Sequence, residues 1–472
     1  MEMSRFASTS VAFHEAAGVV VPGAEARTSR KPSYLFAGLV LAGLVVRILV
    51  AALPGSAART PWGGGGDTAV YVLLAHNLVA GKGYAYAAMP TALRAPAYPL
   101  LVASFFEVFG DHALAAVRWL QFLEGLAVVF LCAALARRMF GGRAWKFAFL
   151  FALFSPTLVE MNGEILTEAT ATLFVAIFLF LLVEYFFRPR WIMLVGLGCA
   201  VGFGSLTRFN LALLAVVALG VVLLQKDGLP RWQAATGLVF FPLIILSPWL
   251  IRNVAVFHGA AVFSTHSGLD ALEGVLTPQG RALPGDAEKL RAEVGWVPPL
   301  DVETNSPSRR DLPEEPVLDR QCWNATARVW RRAGWGLLPI EMKKISGFWL
   351  STDQLLWTGS FPVLQRVARA AGVFAYWAIL AMAVLGWSQL RARNVPLART
   401  FLLYALFVTA MHVPFVMNTR LRMPLIDPLL AALAGLGALT LVSSVTAGTG
   451  NNIAEPRFAV ENGNKLVETD LL

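Results

Sequence analysis

Apolar runs close to membrane length recur along this chain, separated by short basic connections. Leu35 to Leu53, Trp119 to Leu135, Leu166 to Phe187, Leu211 to Leu224 and Leu425 to Val442 carry few charges, and most approach the about 20 residues that cross hydrocarbon as a helix. Lipid offers no hydrogen bonds to an open backbone, so such runs must satisfy their amides internally. The pattern predicts an all-α, polytopic membrane protein with about ten transmembrane helices. The spans centre on residues 35–53, 113–136, 144–159, 165–187, 191–207, 210–225, 234–251, 372–389, 399–417 and 424–443.

Basic residues orient these spans. Arg27, Arg30 and Lys31, then Arg137, Arg138, Arg143 and Lys146, then Arg188 and Arg190, then Lys226 and Arg231, then Arg391, Arg393 and Arg399 all fall on one side of such a bundle. The positive-inside rule makes that side cytosolic. The chain then divides into a cytosolic tail (1–32), an N-terminal membrane module (33–253) containing a first outer loop (54–114), an outer region (254–371), C-terminal membrane helices (372–446) and a second cytosolic tail (447–472). The first 30 residues lack the basic, apolar and small-residue succession of a cleaved signal, so the 35–53 run is expected to stay in the mature protein. The reading is a multi-pass protein of a bacterial inner membrane with its working face on the periplasmic side.

Two connections are too long to be turns, and both lie on the outer side. The first carries Gly63 to Gly66, a helical stretch from Asp67 to Val79 and a Tyr-rich segment; interfacial helices are expected there. The second is a long outer loop before the last three spans, with a Pro-rich tract between Val297 and Pro316. After it, Trp323, Val329, Trp330 and Trp335 with Arg328, Arg331 and Arg332 suit a helix lying on the membrane surface. Long structured loops commonly carry function.

Composition sharpens the class. The 472 residues are 57% hydrophobic and 15% charged, against about 45–50% and about 25% in soluble domains. The net charge of +9 is spread over short loops, which fits topology and anionic lipid and argues against nucleic acid as a partner. Cys132, Cys199 and Cys322 show neither disulfide nor metal-ligand spacing. P-loop and dinucleotide fingerprints are missing, which disfavours a nucleotide-sugar donor.

The candidate chemistry sits at the outer ends of spans. Asp67 follows the four glycines and opens a helix with Tyr71 on its face; it reads as a helix cap, as a general base held at the membrane surface, or as both. Arg47, Arg94, Arg208, Arg252, Arg420 and Arg422 all stand at outer ends, where positive charge opposes the inside rule and needs a partner. A phosphate is such a partner, because the guanidinium fork grips it through two hydrogen bonds. Interfacial arginines that reach toward headgroups are the plainer reading of each one singly. Glu164 and Glu168, four apart, are expected on one helical face at the start of a span, to orient a sugar hydroxyl, balance the arginines or hold a divalent metal. His76, His258, His266 and His412 lack a zinc signature, so no cofactor is assigned beyond a possible divalent metal. Asn162, Asn210, Asn253 and Asn418 recur beside these charges and offer donors and acceptors to sugar hydroxyls, or caps to helices.

In order along residues 35 to 443, the chain carries Arg47 in the first span, Asp67 with Tyr71, GKGY at 81–84, RAPAYPLL at 94–101, FG at 109–110, VRWLQ at 117–121, RRMFG at 137–141, LTE at 166–168, LTRFN at 206–210, PWLIRN at 248–253 and RLRMPLIDPLLA at 420–431. This succession resembles the C-type membrane glycosyltransferase superfamily, in particular bacterial relatives of protein O-mannosyltransferases and of the lipid A aminoarabinose transferase. The resemblance implies an inverting enzyme that moves a hexosyl or pentosyl group from a polyprenyl-phosphate donor to a lipid, polysaccharide or protein acceptor. It places Asp67 as the catalytic carboxylate and Arg94, Arg208, Arg252, Arg420 and Arg422 around the donor phosphate. Tyr71, Tyr84, Glu164, Glu168 and Asn210 would position substrate. Some relatives carry two adjacent acids where this chain has Asp67 followed by Thr68, which leaves the second role to be shared or drawn from Glu168. A transporter or flippase of lipid-linked sugars is the alternative, with the same arginines and no base.

Overall fold

The computed structural model describes residues 34–52, 67–86, 89–224, 229–276, 314–351, 362–417 and 419–448. The glycine run at 63–66, Lys226, Asn418, the first expected tail, residues 449–472 of the second and most of the Pro-rich tract lie outside the described residues. The ten expected spans all fall on helical segments, some of them broken into two or three shorter helices. Seven helical stretches are long and apolar enough to cross a membrane, and three apolar helices at Ala144–Phe154, Trp191–Thr207 and Phe209–Leu223 are shorter. These three fall short because serine, glycine or arginine at Ser155, Gly142 and Arg208 interrupts the run at one end.

The first span, α1 (Tyr34–Ala52), is apolar all round and buries only Gly43, Arg47 and Ala51. Their spacing of four places them on one helical stripe. A Cβ at Gly43 would lie 2.5 Å from the Leu153 side chain, so glycine is what lets α1 close on its neighbour. The last span, which we number α17 (Thr419–Gly448), is the opposite case. Its apolar window is 72% buried, against 17% for α1. It is the post around which the bundle packs. Backbone contact is possible there because a Cβ at Gly437 would meet the Met382 carbonyl at 2.0 Å, and one at Gly435 the Ala144 carbonyl at 2.7 Å.

Between these lie α4 (Ala113–Phe140), α5 (Ala144–Phe154), α6 (Pro156–Glu160), α7 (Glu168–Phe187), α8 (Trp191–Thr207), α9 (Leu214–Leu224), α10 (Arg231–Ala235) and α11 (Phe241–Val256). The spans before the post are α15 (Pro362–Arg393) and α16 (Val395–His412). Arg138 and Glu184 pair at 2.6 Å where α4 and α7 end. Glu168 opens α7, so at a rise of about 1.5 Å per residue it stands some 24 Å away along the axis. The two charged ends of the bundle are thus distinct.

The first outer loop folds as α2 (Asp67–Val79), a short hairpin of β1 (Ala85–Tyr86) and β2 (Met89–Pro90), and α3 (Ala97–Phe109). Gly81 and Gly83 take φ of +70° and +74°, the left-handed conformation that ends α2 and turns the chain. Tyr71 of α2 meets Tyr98 of α3 edge-on at 5.2 Å within a small apolar cluster that includes Ala75, Val102 and Val117. The second outer region contributes α12 (Ser267–Leu276), α13 (Glu315–Ala333) and α14 (Leu338–Leu350). Leu269 and Leu272 pack on Cys322 and Ala325. The two outer regions join through Glu315, whose Oε2 accepts from the Ala92 amide at 3.0 Å and from Thr265 Oγ1 at 2.8 Å.

Candidate active site

Four separate stretches of sequence meet at the rim of the bundle opposite Arg138 and Glu184. Asp67 stands at the first turn of α2, Arg94 just before α3, Glu168 at the first turn of α7, and Arg420 at the first turn of α17. Asp67 Oδ1 accepts from Arg94 Nη2, and Asp67 Oδ2 pairs with Arg420 Nη1 at 2.8 Å. Arg420 Nε in turn donates to Glu168 Oε1, which also pairs with Arg208 Nη1 at 3.0 Å. The result is one alternating row: Arg94, Asp67, Arg420, Glu168, Arg208. Asp67, Arg94 and Arg420 keep part of their side chains open, at 26%, 18% and 30% exposure, whereas Glu168 is buried at 2%.

Supporting groups hold the row. The Tyr84 hydroxyl donates to the Arg94 carbonyl at 2.9 Å, so this tyrosine sets the backbone of the arginine rather than touching the row itself. Tyr71 lies buried beneath Asp67. Asn210 follows Arg208 and meets His412 Nε2 at 3.3 Å, while its carbonyl oxygen has no hydrogen-bond partner among the described residues.

Four of the residues singled out in the sequence, Arg252, Arg422, Glu164 and Arg47, stand outside this row. Arg252 is spent on the protein: its guanidinium donates to the carbonyls of Thr91 at 2.7 Å and Tyr84 at 2.9 Å, and lies 5.1 Å from the Trp249 ring. It clamps the hairpin of the first outer loop. Arg422 is fully buried, donates to Asp427 at 3.1 Å and to the Phe348 carbonyl at 2.9 Å, and stacks on Tyr376 at 4.3 Å. It stands two residues after Arg420 and so about 200° around α17, which turns it inward. Glu164 does not share a helix face with Glu168, because α7 starts at Glu168 and Glu164 lies in the turn before it. Arg47 likewise donates to the carbonyls of Ala152, Leu153 and Leu158 and to Asn162 Oδ1, and serves the packing of α1.

Electrostatics follow from this geometry. Burial alone would push the Asp67 carboxyl up, but the guanidinium groups of Arg94 and Arg420, with His266, outweigh it and hold the group well below the ordinary carboxylate range. Glu164 goes the other way: burial raises it, against the pull of Arg118 and Arg420. Burial and the charge of Asp67 together raise the Tyr71 phenol. The sequence reading did not assign Asp270, which pairs with His266 at 3.3 Å. Burial opposes its ionisation, yet His266 keeps it low. The signal was present as a histidine and an aspartate four apart at a helix start. Asp319 was also missed; its Oδ1 accepts from the Gly268 amide at 2.6 Å and docks α13 on α12. Among the described residues no three His, Cys, Asp or Glu side chains group to hold a metal ion.

Known proteins resemble this chain in part of its sequence and in its fold. Residues 93–251 match the family model of the dolichyl-phosphate-mannose-protein mannosyltransferases. That segment contains Arg94, Glu168, Arg208 and Asn210, while Asp67 and Arg420 lie to either side of it. The fold is shared with the oligosaccharyltransferase of Archaeoglobus fulgidus. Its crystal structure tethered to an acceptor peptide aligns with a TM-score of 0.51 and 12% identity over 89% of this chain and 51% of that one. The same enzyme in complex with an inhibitory peptide and a dolichol-phosphate gives 0.52 and 13% over 92% and 53%. The chain spans about half the length of that protein. ArnT from Cupriavidus metallidurans bound to undecaprenyl phosphate aligns at 0.41 and 18% over 90% of this chain and 82% of that one. No curated protein matches the chain by sequence. The resemblance to the C-type membrane glycosyltransferases is therefore borne out in the family model and in the fold.

Proposed function

We propose that this chain transfers a sugar from a polyprenyl-phosphate donor to a hydroxyl acceptor at the periplasmic face of a bacterial inner membrane, with Asp67 as general base. The observation that carries the reading is the carboxylate of Asp67 held between Arg94 and Arg420 at a partly exposed rim. Arg94, Arg208 and Arg420 are the donor-phosphate ligands on this reading; Arg252 and Arg422 drop out because the protein already occupies them. As the donor phosphate draws the two guanidinium groups toward itself, Asp67 loses the charges that depress it and becomes basic enough to act.

The acceptor oxygen then attacks the anomeric carbon from the face opposite the phosphate. Its O–H bond breaks and the proton passes to Asp67. The new C–O bond forms as the bond between the anomeric carbon and the phosphate oxygen breaks, which inverts the centre. Charge growing on the leaving phosphate is met by the arginines, whose effect strengthens as substrate excludes water. Asn210, whose carbonyl oxygen has no hydrogen-bond partner among the described residues, would accept from a sugar hydroxyl on this reading.

The test is transfer itself. Purified protein incubated with radiolabelled polyprenyl-phosphate sugars and an envelope extract is expected to label an acceptor, and Asp67→Asn is expected to abolish labelling while remaining monodisperse. An active Asp67→Asn variant removes the base assignment. Label that crosses a vesicle membrane without forming a glycosidic bond would replace the enzyme with a flippase.

A further inference from the structure

Glu168 stands behind the two cations that a donor phosphate would meet. It is 2% exposed, against 30% for Arg420 and 17% for Arg208. Arg420 Nε donates a hydrogen bond to Oε1 and Arg208 Nη1 forms an ion pair with the same oxygen at 3.0 Å, while Oε2 accepts from the Thr167 hydroxyl at 3.4 Å. A glutamine Oε1 could accept the one hydrogen bond, from Arg420 Nε, but the approach of Arg208 Nη1 at 3.0 Å is an ion pair without a hydrogen bond and depends on the charge of the carboxylate.

Transfer changes the charge on the lipid. A sugar phosphodiester carries one negative charge, whereas the phosphomonoester left after transfer has a second ionisation near pH 6 and carries about −1.5 to −2 at neutrality. Arginines tuned to grip the donor therefore grip the product harder, and release of product commonly limits turnover. The row as it stands sets three guanidinium groups against two carboxylates. Without Glu168 the excess of positive charge around the phosphate would double.

We propose that Glu168 is a release-tuning counter-ion, whose buried carboxylate part-neutralises Arg208 and Arg420 so that the polyprenyl phosphate product can leave. It is a positioning and affinity-setting residue; no bond to it forms or breaks, and the acceptor proton still goes to Asp67. The inference rests on the donor class proposed above.

Glu168→Gln keeps Oε1 and removes the charge. With the full chain in phosphatidylcholine nanodiscs, binding of undecaprenyl phosphate is measured, and undecaprenol serves as the phosphate-free control. Glu168→Gln is expected to bind undecaprenyl phosphate on the order of tenfold more tightly than the wild type, with undecaprenol unchanged. Glu168→Asp, which keeps the charge, is expected to stay near the wild type. In turnover, Glu168→Gln lowers both the donor KM and kcat, and added undecaprenyl phosphate inhibits it at lower concentration. Equal or weaker binding by monodisperse Glu168→Gln overturns the proposal. Should that variant fail to fold, the double variant Arg208→Gln with Glu168→Gln restores the charge count. It is expected to bind more tightly than Arg208→Gln alone, and equality between the two overturns the counter-ion role. A wild type that binds undecaprenyl phosphate no better than undecaprenol sinks the donor reading as well; phosphate-dependent binding with no gain in Glu168→Gln sinks only this one.

Discussion

Two regions of this bundle use arginine in opposite ways. At the outer rim, Arg94, Arg420 and Arg208 are paired with carboxylates and keep part of their surface open. Inside, Arg47 and Arg422 are fully buried; Arg47 spreads over backbone carbonyls and Asn162, and Arg422 over backbone carbonyls and the buried carboxylate of Asp427. A guanidinium group that donates to fixed carbonyls is locked, because those carbonyls have few other partners in an apolar interior. One that pairs with a carboxylate at a wet rim can exchange it for a phosphate at little cost. What separates the two regions is the openness of the guanidinium group together with its partner, since Arg422 pairs with a carboxylate too but is fully enclosed.

The sharpest way to break this comparison is at Asp67. Asp67→Asn is expected to lower transfer on the order of 100-fold or more, as removal of a positioned base does, with no loss of folded protein. Radiolabelled transfer beside a size-exclusion profile measures both. Arg420→Gln comes next: about 100-fold in kcat/KM, the scale for an electrostatic ligand of a developing oxyanion, read from initial rates at varied donor. In the inner region the expected loss is of another kind. Arg47→Met strips partners from the carbonyls of Ala152, Leu153 and Leu158 and from Asn162, at about 1–3 kcal/mol for each buried group left unpaired. Thermal unfolding in detergent should shift markedly downward, while activity per folded molecule is kept.

Smaller effects sharpen the boundary between the two regions. Tyr84→Phe removes one hydrogen bond to the Arg94 carbonyl, worth about 1 kcal/mol, so transfer should fall only severalfold and kcat more than KM. Acid is expected to do least. Asp67 has a folded value depressed below its unfolded one, so its stabilisation is fully present above the ordinary carboxylate value of about 3.9 and is lost only as pH falls below that toward the folded value. Between pH 7 and pH 5 the ion pairs of Asp67 should thus make no change in thermal stability, followed by differential scanning fluorimetry against Asp67→Asn.

Much of the architecture was legible in the chain. The Asp67–Val79 helix, the glycine turn after it and the positions of the seven long apolar helices all follow from apolar runs and the residues that punctuate them. The rim row was legible in its members, since Asp67, Arg94, Glu168, Arg208 and Arg420 each stood out as a charge at an outer end. Its company was not. Arg252 and Arg422 stood out on the same grounds and went elsewhere, and Asp270 was passed over although it lies beside His266. Glu164 was misplaced because a four-residue spacing predicts a shared face only where a helix already exists, and here the helix begins three residues later than the apolar pattern suggests.

Hydropathy and charge along the chain determined on their own that this protein is a helical membrane bundle with acidic and basic groups at its outer ends, because lipid penalises open backbone and unpaired charge wherever they occur. Only the tertiary structure decided which of those groups meet. Asp67 and Arg420 are more than three hundred residues apart in sequence yet 2.8 Å apart in space, and no local pattern encodes the rotation of α17 that sends Arg420 to the rim and Arg422 into the core. That rotation is fixed by glycine-to-backbone contacts far down the same helix, where Gly435 and Gly437 set how α17 sits against α5 and α15.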